Sequence, residues 1–321
     1  MSNRVSRPRL PLAQLLAAAA LAAVGTAQAQ SSVQVYGLID MSVGQFQAAG
    51  ATKNKAVQSG NMSTSYFGFK GTEDLGGGLK ANFATEGFLR ADSGSSGRFN
   101  GDAFWARNSY VGLSGNFGGL TLGRNTTSLF VSTLIFNAFG DSFGFSPSIR
   151  HYFTSGTVSG DTGWNQSISY STPNMGGLSA QLQVAADDGS GRKYGGNVLY
   201  FSGAFAGTVA FQKVKNSTTT SQIGASYDLG GAKLYGQYGK VKNDLTNVSY
   251  KLTDVGVAIP VGAGKVLFEY GRLTPVTRTT ITAGYDYTLS KRTDLYAVAM
   301  SDKKTATNTG STYAVGVRHK F

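Results

Sequence analysis

Few residues in this chain could do chemistry, and they are widely spaced. His151 and His319 are the two histidines, and cysteine is absent. Without cysteine there can be no disulfide, no thiolate-held zinc, no iron–sulfur cluster and no thiol nucleophile. Hydrolysis would need a nucleophile, a base and an orienting group held together, and nothing marks out one serine from the many. No enzyme activity and no cofactor are therefore expected. The run "ADDGSG" at Ala186–Gly191 superficially suggests a calcium loop. It lacks the alternating acids and the distant bidentate carboxylate such a site needs, so it reads as a plain loop, and no metal is expected.

What remains is charge that could act across a passage. Asp141 is the only acid in the central stretch of "TTSLFVSTLIFNAFGDSFGFSPSIRHYF". Basic side chains on a facing wall would favour anions, and an acid opposite them would sharpen the transverse field. Lys70, Arg107, Arg124 and Arg150 are the candidates for that wall. Strand alternation points Lys70 inward. Arg107 shares a face with Val111 and Leu113, and Arg124 with Leu120 and Leu122. Either a β-bulge turns these two inward or they stand at a rim.

Such a wall must be built from strands. Tight turns are expected at Leu75–Gly78, Phe117–Gly119, Asn174–Gly177, Phe205–Gly207, Leu229–Gly231, Gly262–Gly264 and Leu289–Arg292. Each lies between stretches rich in aromatic, β-branched and small residues, the pattern of a hairpin. Longer polar connectors such as "KNSTTTS", "KNDLTN" and "SDKKTATNTGS" separate the hairpins. With a first and a last strand added, the turns give a meander of 16 strands, at about ten residues each. No helical period competes, so the reading is a single all-β domain.

Each strand has one apolar face. In "STYAVGVRHKF", Tyr313, Val315, Val317, His319 and Phe321 alternate with Thr312, Ala314, Gly316, Arg318 and Lys320, because successive side chains point to opposite faces. Nothing in the chain could cover sixteen such faces, and a two-sheet sandwich would need inner faces throughout. A closed antiparallel transmembrane β-barrel resolves the conflict, with lipid outside, water inside and Phe321 in the aromatic girdle.

The N-terminus fits export to such a membrane. Arg4, Arg7 and Arg9 precede "LPLAQLLAAAALAAVG" and Ala27-Gln28-Ala29, the order of a secretory signal peptide over residues 1–29. Cleavage after Ala29 would leave a barrel domain over 30–321, with 26 basic and 17 acidic residues and a formal charge of +9. The excess attracts anions. Its basic residues are scattered singly along strands and the chain is exported, so no nucleic-acid partner is expected.

The stretches "YGLIDMSV", "FGFKGTEDLGGGLKANFATE", "RNSYVGLSGNFGGLTLGR", "YDYTLSKRTDLYA" and "GVRHKF" resemble, in the same order, the general diffusion porins of Gram-negative β-proteobacteria, the Burkholderia and Neisseria type. The resemblance covers essentially all of residues 33–321. It implies a homotrimer in outer-membrane lipid, passive passage of small hydrophilic solutes, often anionic, and Phe321 as an outer-membrane assembly signal. It also implies that the long segment around Asp141 is the third outer loop, folded into the pore. The residues alone leave open a surface loop covering a neighbouring subunit. The family frequently has Arg where Tyr66 stands here, which implies a weaker anion preference. A channel for one class of acidic nutrient, or a barrel acting mainly as adhesin or receptor, would also fit.

Overall fold

Alternation sorts the chain into two faces, and the fold uses both. The computed structural model describes residues 32–321 apart from 159, 160, 188 and 190. The signal peptide expected over residues 1–29 lies outside the described residues. The first half of the sheet runs through β1 (Ser32–Phe46), β2 (Asn54–Ser59), β3 (Tyr66–Gly76), β4 (Leu79–Arg90), β5 (Ser95–Ser96), β6 (Ser109–Gly115), β7 (Gly118–Thr126), β8 (Gly163–Ser171) and β9 (Leu178–Ala185). The second half runs through β10 (Lys193–Ser202), β11 (Phe205–Val214), β12 (Thr218–Asp228), β13 (Lys233–Asn243), β14 (Ser249–Val261), β15 (Gly264–Thr274), β16 (Arg278–Thr288), β17 (Thr293–Lys304) and β18 (Gly310–Lys320).

All pairings are antiparallel, and β18 returns to β1 from Leu38↔Lys320 to Gln45↔Tyr313. β2 and β3 both pair with β1, on its second and first halves, and so form one interrupted barrel strand. β5 is a two-residue flap on the end of β4. The result is the expected closed barrel of sixteen strands. At the seam, Gly37 N–H donates to Phe321 O at 3.2 Å and Phe321 N–H to Gly37 O at 3.1 Å. Closure leaves no unpaired edge for lipid to meet.

The outer face is apolar and open: Val33, Leu182, Val209, Ile223 and Val315 are all more than half exposed. On the inner face Asp40, Gln222, Glu269 and Asp302 are buried. Two expectations about turns need correction. The turn expected at Phe205–Gly207 falls at Gly203–Ala204, because Gly203 adopts the left-handed φ of 55° while Phe205 already pairs with Ser202 and Tyr227. The long connector expected at "KNSTTTS" is a tight turn with Asn216 at φ 58°, since Thr218 already opens β12.

The chain is also not wholly β. The long segment after β7 folds into the barrel and carries α1 (Ser128–Ile135) and α2 (Pro147–Ile149), followed by one π-helical turn, Arg150–Thr154. Thr127 caps α1 by accepting from Phe130 N–H, as a short hydroxyl at this position commonly does. The helix shows no ordinary amphipathic period because its pattern is inverted. Ser128, Ser132 and Thr133 are buried against a polar wall, with Ser132 bonded to Thr208 and Asn197, and Thr133 to Gln222. Phe130, Val131 and Leu134 turn toward the lumen.

The apolar residues beyond α1 are covered by the wall. Phe136, Phe139 and Phe145 are almost wholly buried. Phe139 and Phe145 pack with Met62, Leu267, Tyr296 and Val298, while Leu129 and Tyr152 pack with Ala210, Val241, Leu252 and Leu273. Wall glycines make room: a Cβ at Gly239 would overlap the Tyr152 hydroxyl, and one at Gly271 would lie 2.5 Å from Pro147 Cβ. Gly239→Ala is therefore expected to push Tyr152 and its loop into the lumen. Single-channel conductance should fall while the barrel keeps its heat-modifiable gel mobility; an unchanged conductance would refute the packing argument.

Candidate functional site

The folded loop leaves a narrow space against the wall of β3–β7. A cavity of 460 Å³ is bounded by Phe130, Val131, Leu134 and Asp141 on the loop and by Phe88, Arg98 and Arg107 on the wall side. Asp141 and Arg107 thus line one space, an acid on the loop and a base opposite it.

A bulge delivers Arg107. Arg107 N–H donates to Glu86 O at 3.2 Å, and Glu86 N–H donates to Asn108 O at 2.7 Å, so two successive residues oppose one. The extra residue shifts alternation locally, and the side chain leaves the face of Val111 and Leu113. Its guanidinium lies 4.0 Å from the Tyr66 ring centroid and 2.6 Å from Glu86 Oε1. Tyr36 Oη and Asn108 Nδ2 donate to the same carboxylate. The Glu86 side chain is 4% exposed and that of Arg107 is 31% exposed. The passage therefore meets a guanidinium whose counter-ion is hidden behind it.

Asp141 accepts from Ser63 Oγ at 2.9 Å, and that hydroxyl accepts from Arg318 Nη1 at 3.1 Å. Arg318 is itself held by Asp286 and Asp294. Lys70 keeps its expected inward side, with its ammonium 4.5 Å from the Tyr36 ring centroid. It is exposed and stands on β3 toward the tight turn from Tyr66, hence off the narrowest level.

Arg124 takes the second of the two alternatives, the rim. The register shifts between Gly123 and Asn125, yet the side chain stays at the rim, donating to Ala106 O at 2.6 Å and Asn165 Oδ1 at 2.7 Å and pairing with Asp161. Arg98 joins the same group, 2.8 Å from Asp102 and 2.7 Å from Asp161. Burial raises the Asp161 carboxyl, but the guanidiniums of Arg98 and Arg124 outweigh it and hold it below the usual carboxylate range. Asp102 is lowered in the same way by Arg98.

Arg150 departs from expectation. It lies behind the loop, 3.2 Å from Asp302, which Arg278 also holds at 2.6 Å, and it donates to Gly144 O. The buried Asp302 carboxylate draws it to the wall, so it fastens the loop and does not face Asp141 across the passage. Phe321 is 44% exposed on the outer face.

Arg98, Glu86 and Arg318 were not among the candidates. Glu86 was findable as the lone acid on the inward face of "LKANFATE", and Arg318 as an inward base of the last strand. Arg98 sits in an aperiodic polar loop that carries no such signal.

A family model described as Gram-negative porin matches residues 16–307. Outer membrane porin protein 32 of Delftia acidovorans is 38% identical over 343 residues, covering 95% of this chain and 94% of the relative. Major outer membrane protein P.IB of Neisseria lactamica is 28% identical over 350 residues, covering 95% and 99%. Among solved structures, the anion-selective porin from Comamonas acidovorans aligns with a TM-score of 0.76 at 30% identity over 91% of this chain and 100% of that one. The trimer form of OmpT from Vibrio cholerae aligns at 0.69 and 16% identity over 91% and 99%, which bears on the fold alone.

Proposed function

The chain belongs to the Gram-negative porin family, and on that premise we propose that it is a trimeric diffusion pore with a modest preference for anions. As a porin of the Gram-negative outer membrane it conducts solute through its own barrel. The observation that carries the anion reading is Arg107, displayed on Tyr66 opposite Asp141 with its counter-ion buried behind it. Lys70 and Arg318 extend the basic wall below and beside it. Preference stays modest because the constriction's arginines are ion-paired, and paired charges give short-ranged fields. Arg107 stacked on Tyr66 supports the view that this side chain takes the place of an arginine at position 66.

Arg124 and Arg98 brace the mouth in this reading, and Arg150 anchors the loop. Solutes pass down their own gradient; the His151 imidazole meets the Thr280 hydroxyl at 3.0 Å, but both are buried behind the loop, so no catalysis is proposed. Residues 1–29 act as a cleaved export signal and Phe321 as an assembly signal in the same proposal.

Single-channel recording of the refolded mature protein under a KCl gradient tests it. Closures in threes and a reversal potential of anionic sign are expected. Lys70→Gln should move that potential toward zero without changing conductance steps. A cation-selective wild type would overturn the reading.

A further inference from the structure

The constriction loop sends its phenylalanines in two directions. Phe136, Phe139 and Phe145 are sunk into the wall, none more than 4% exposed. Phe130, Phe143 and Phe153 are only half-buried and their rings adjoin. Phe130 lies 5.8 Å from Phe143 and 5.3 Å from Phe153, centroid to centroid. Val131 and Leu134 extend this apolar face along α1. The helix docks through Ser132 and Thr133 on its other side, so these apolar groups are turned toward the passage.

An apolar face is a hindrance to bare ions, because a constriction lined by one sheds water. Exposed apolar patches rimmed by polar groups instead mark binding sites. The space in front of the rings measures 460 Å³, within the roughly 300–1,000 Å³ of small-molecule pockets. Phe143 and Arg98 also border a second cavity of 510 Å³, which holds Phe99 and Phe153 on the side of the mouth. A run of rings therefore leads from the mouth to the narrowest level.

Charge on the facing wall narrows the choice of solute. Arg98 and Arg107 both border the 460 Å³ space. Arg98 is taken up by Asp102 and Asp161, each bonded to two of its guanidinium hydrogens. Arg107 pairs with a single acid among the described residues, Glu86, and its side chain is 31% exposed. Its fork carries five N–H donors, so donors remain for a solute. Asp141 borders the same space and repels a second negative charge. The solute that fits has one carboxylate and a flat apolar body.

We infer that the constriction favours aromatic monocarboxylates among anions, with the carboxylate taken by Arg107 and the ring lying against Phe130 and Phe143. The inference rests on the anion-pore reading above and names a solute class for it. Aromatic pairs gain from offset or edge-to-face contact, and a carboxylate on a guanidinium forms a charge-assisted hydrogen bond. Both contacts are weak enough to release the solute, as conduction requires.

The test records the refolded mature protein in a planar bilayer in KCl at neutral pH, with benzoate, acetate or benzamide added. Benzoate should block the ion current saturably, at roughly one-tenth of the concentration that acetate needs, the effect of one aromatic contact. Benzamide has the shape of benzoate without its charge, and should need roughly tenfold more than benzoate. Phe130→Ala and Phe143→Ala should each cut the benzoate-to-acetate preference by roughly fivefold. Benzoate block that does not saturate, or equal block by acetate or benzamide, overturns the inference. So does an undiminished preference in the Phe130→Ala/Phe143→Ala variant. The reversal potential without organic solute separates the two levels of the argument. A cationic sign overturns the pore reading and this inference together, whereas an anionic sign without benzoate block overturns this inference alone. Should a variant not fold, the comparison of the three solutes on wild type decides.

Discussion

Arg107→Ala is expected to turn the pore from anion- to cation-preferring. The substitution acts twice. It removes the guanidinium that faces Asp141 across the constriction, and it uncovers Glu86, whose carboxylate is 4% exposed while Arg107 sits over it. Tyr36 and Asn108 still hold that carboxylate in place, so it cannot swing away and its charge meets the passage. A unit charge near a water-filled passage is worth about 1 kcal/mol, or roughly a fivefold change in permeability ratio for each of the two effects. Reversal potentials under a KCl gradient read this directly. Adding Glu86→Gln to Arg107→Ala should recover about half of the shift, because the uncovered charge is then gone while the guanidinium is still missing. If the single variant stays anion-selective, Arg107 is not the selecting group.

Arg107→Lys refines the argument. Lysine keeps the charge but loses the planar stacking on Tyr66 and the paired geometry toward Glu86. Selectivity should survive and open-channel noise should increase, because a flexible ammonium is no longer pinned over the ring.

The fold could be read from the residues because a membrane barrel obeys one rule along its whole length. Tyr313, Val315 and Val317 lie outward and Thr312 and Ala314 inward, as the period of two requires. The site was less legible, because it lives where that rule breaks. Arg107 reaches the passage through a bulge, and bulges leave no mark on composition. Arg150 looked like a wall residue but is drawn behind the loop by Asp302, a partner 152 residues away. The helix α1 was missed because its polar face is the docked one. In a barrel the wall facing the loop is polar, so the usual assignment of apolar residues to the buried side is reversed for Ser132 and Thr133.

Glu269→Ala is expected to free the constriction loop. Glu269 projects inward from β15 and is fully buried. It accepts from Phe139 N at 3.2 Å, Ser146 Oγ at 3.1 Å, and Ser148 N and Oγ at 3.3 Å each. These donors come from both sides of Asp141, so one carboxylate fixes the loop at two points along its course. Truncation leaves buried donors without an acceptor, at about 1–3 kcal/mol apiece, and opens a void beneath α2. Near Asp141 the remaining ties are Ser63 to Asp141, Ser142 and Gly144 to Asn61 O, Thr282 to Phe145 O, and Arg150 to Asp302, while α1 stays held by Thr208, Asn197 and Gln222. Since 1.4 kcal/mol is tenfold in a population, losing even two of the bonds would bring loop-displaced states within reach at equilibrium. Larger mean conductance with rapid flicker should follow, and larger uncharged solutes should pass in a liposome-swelling assay. Because the barrel ladder is untouched, heat-modifiable mobility should persist. Glu269→Gln, which keeps one acceptor oxygen, should fall between the two. Wild-type conductance and size limit in the alanine variant would show that the loop is held by its apolar packing, and that the carboxylate contributes nothing to the aperture.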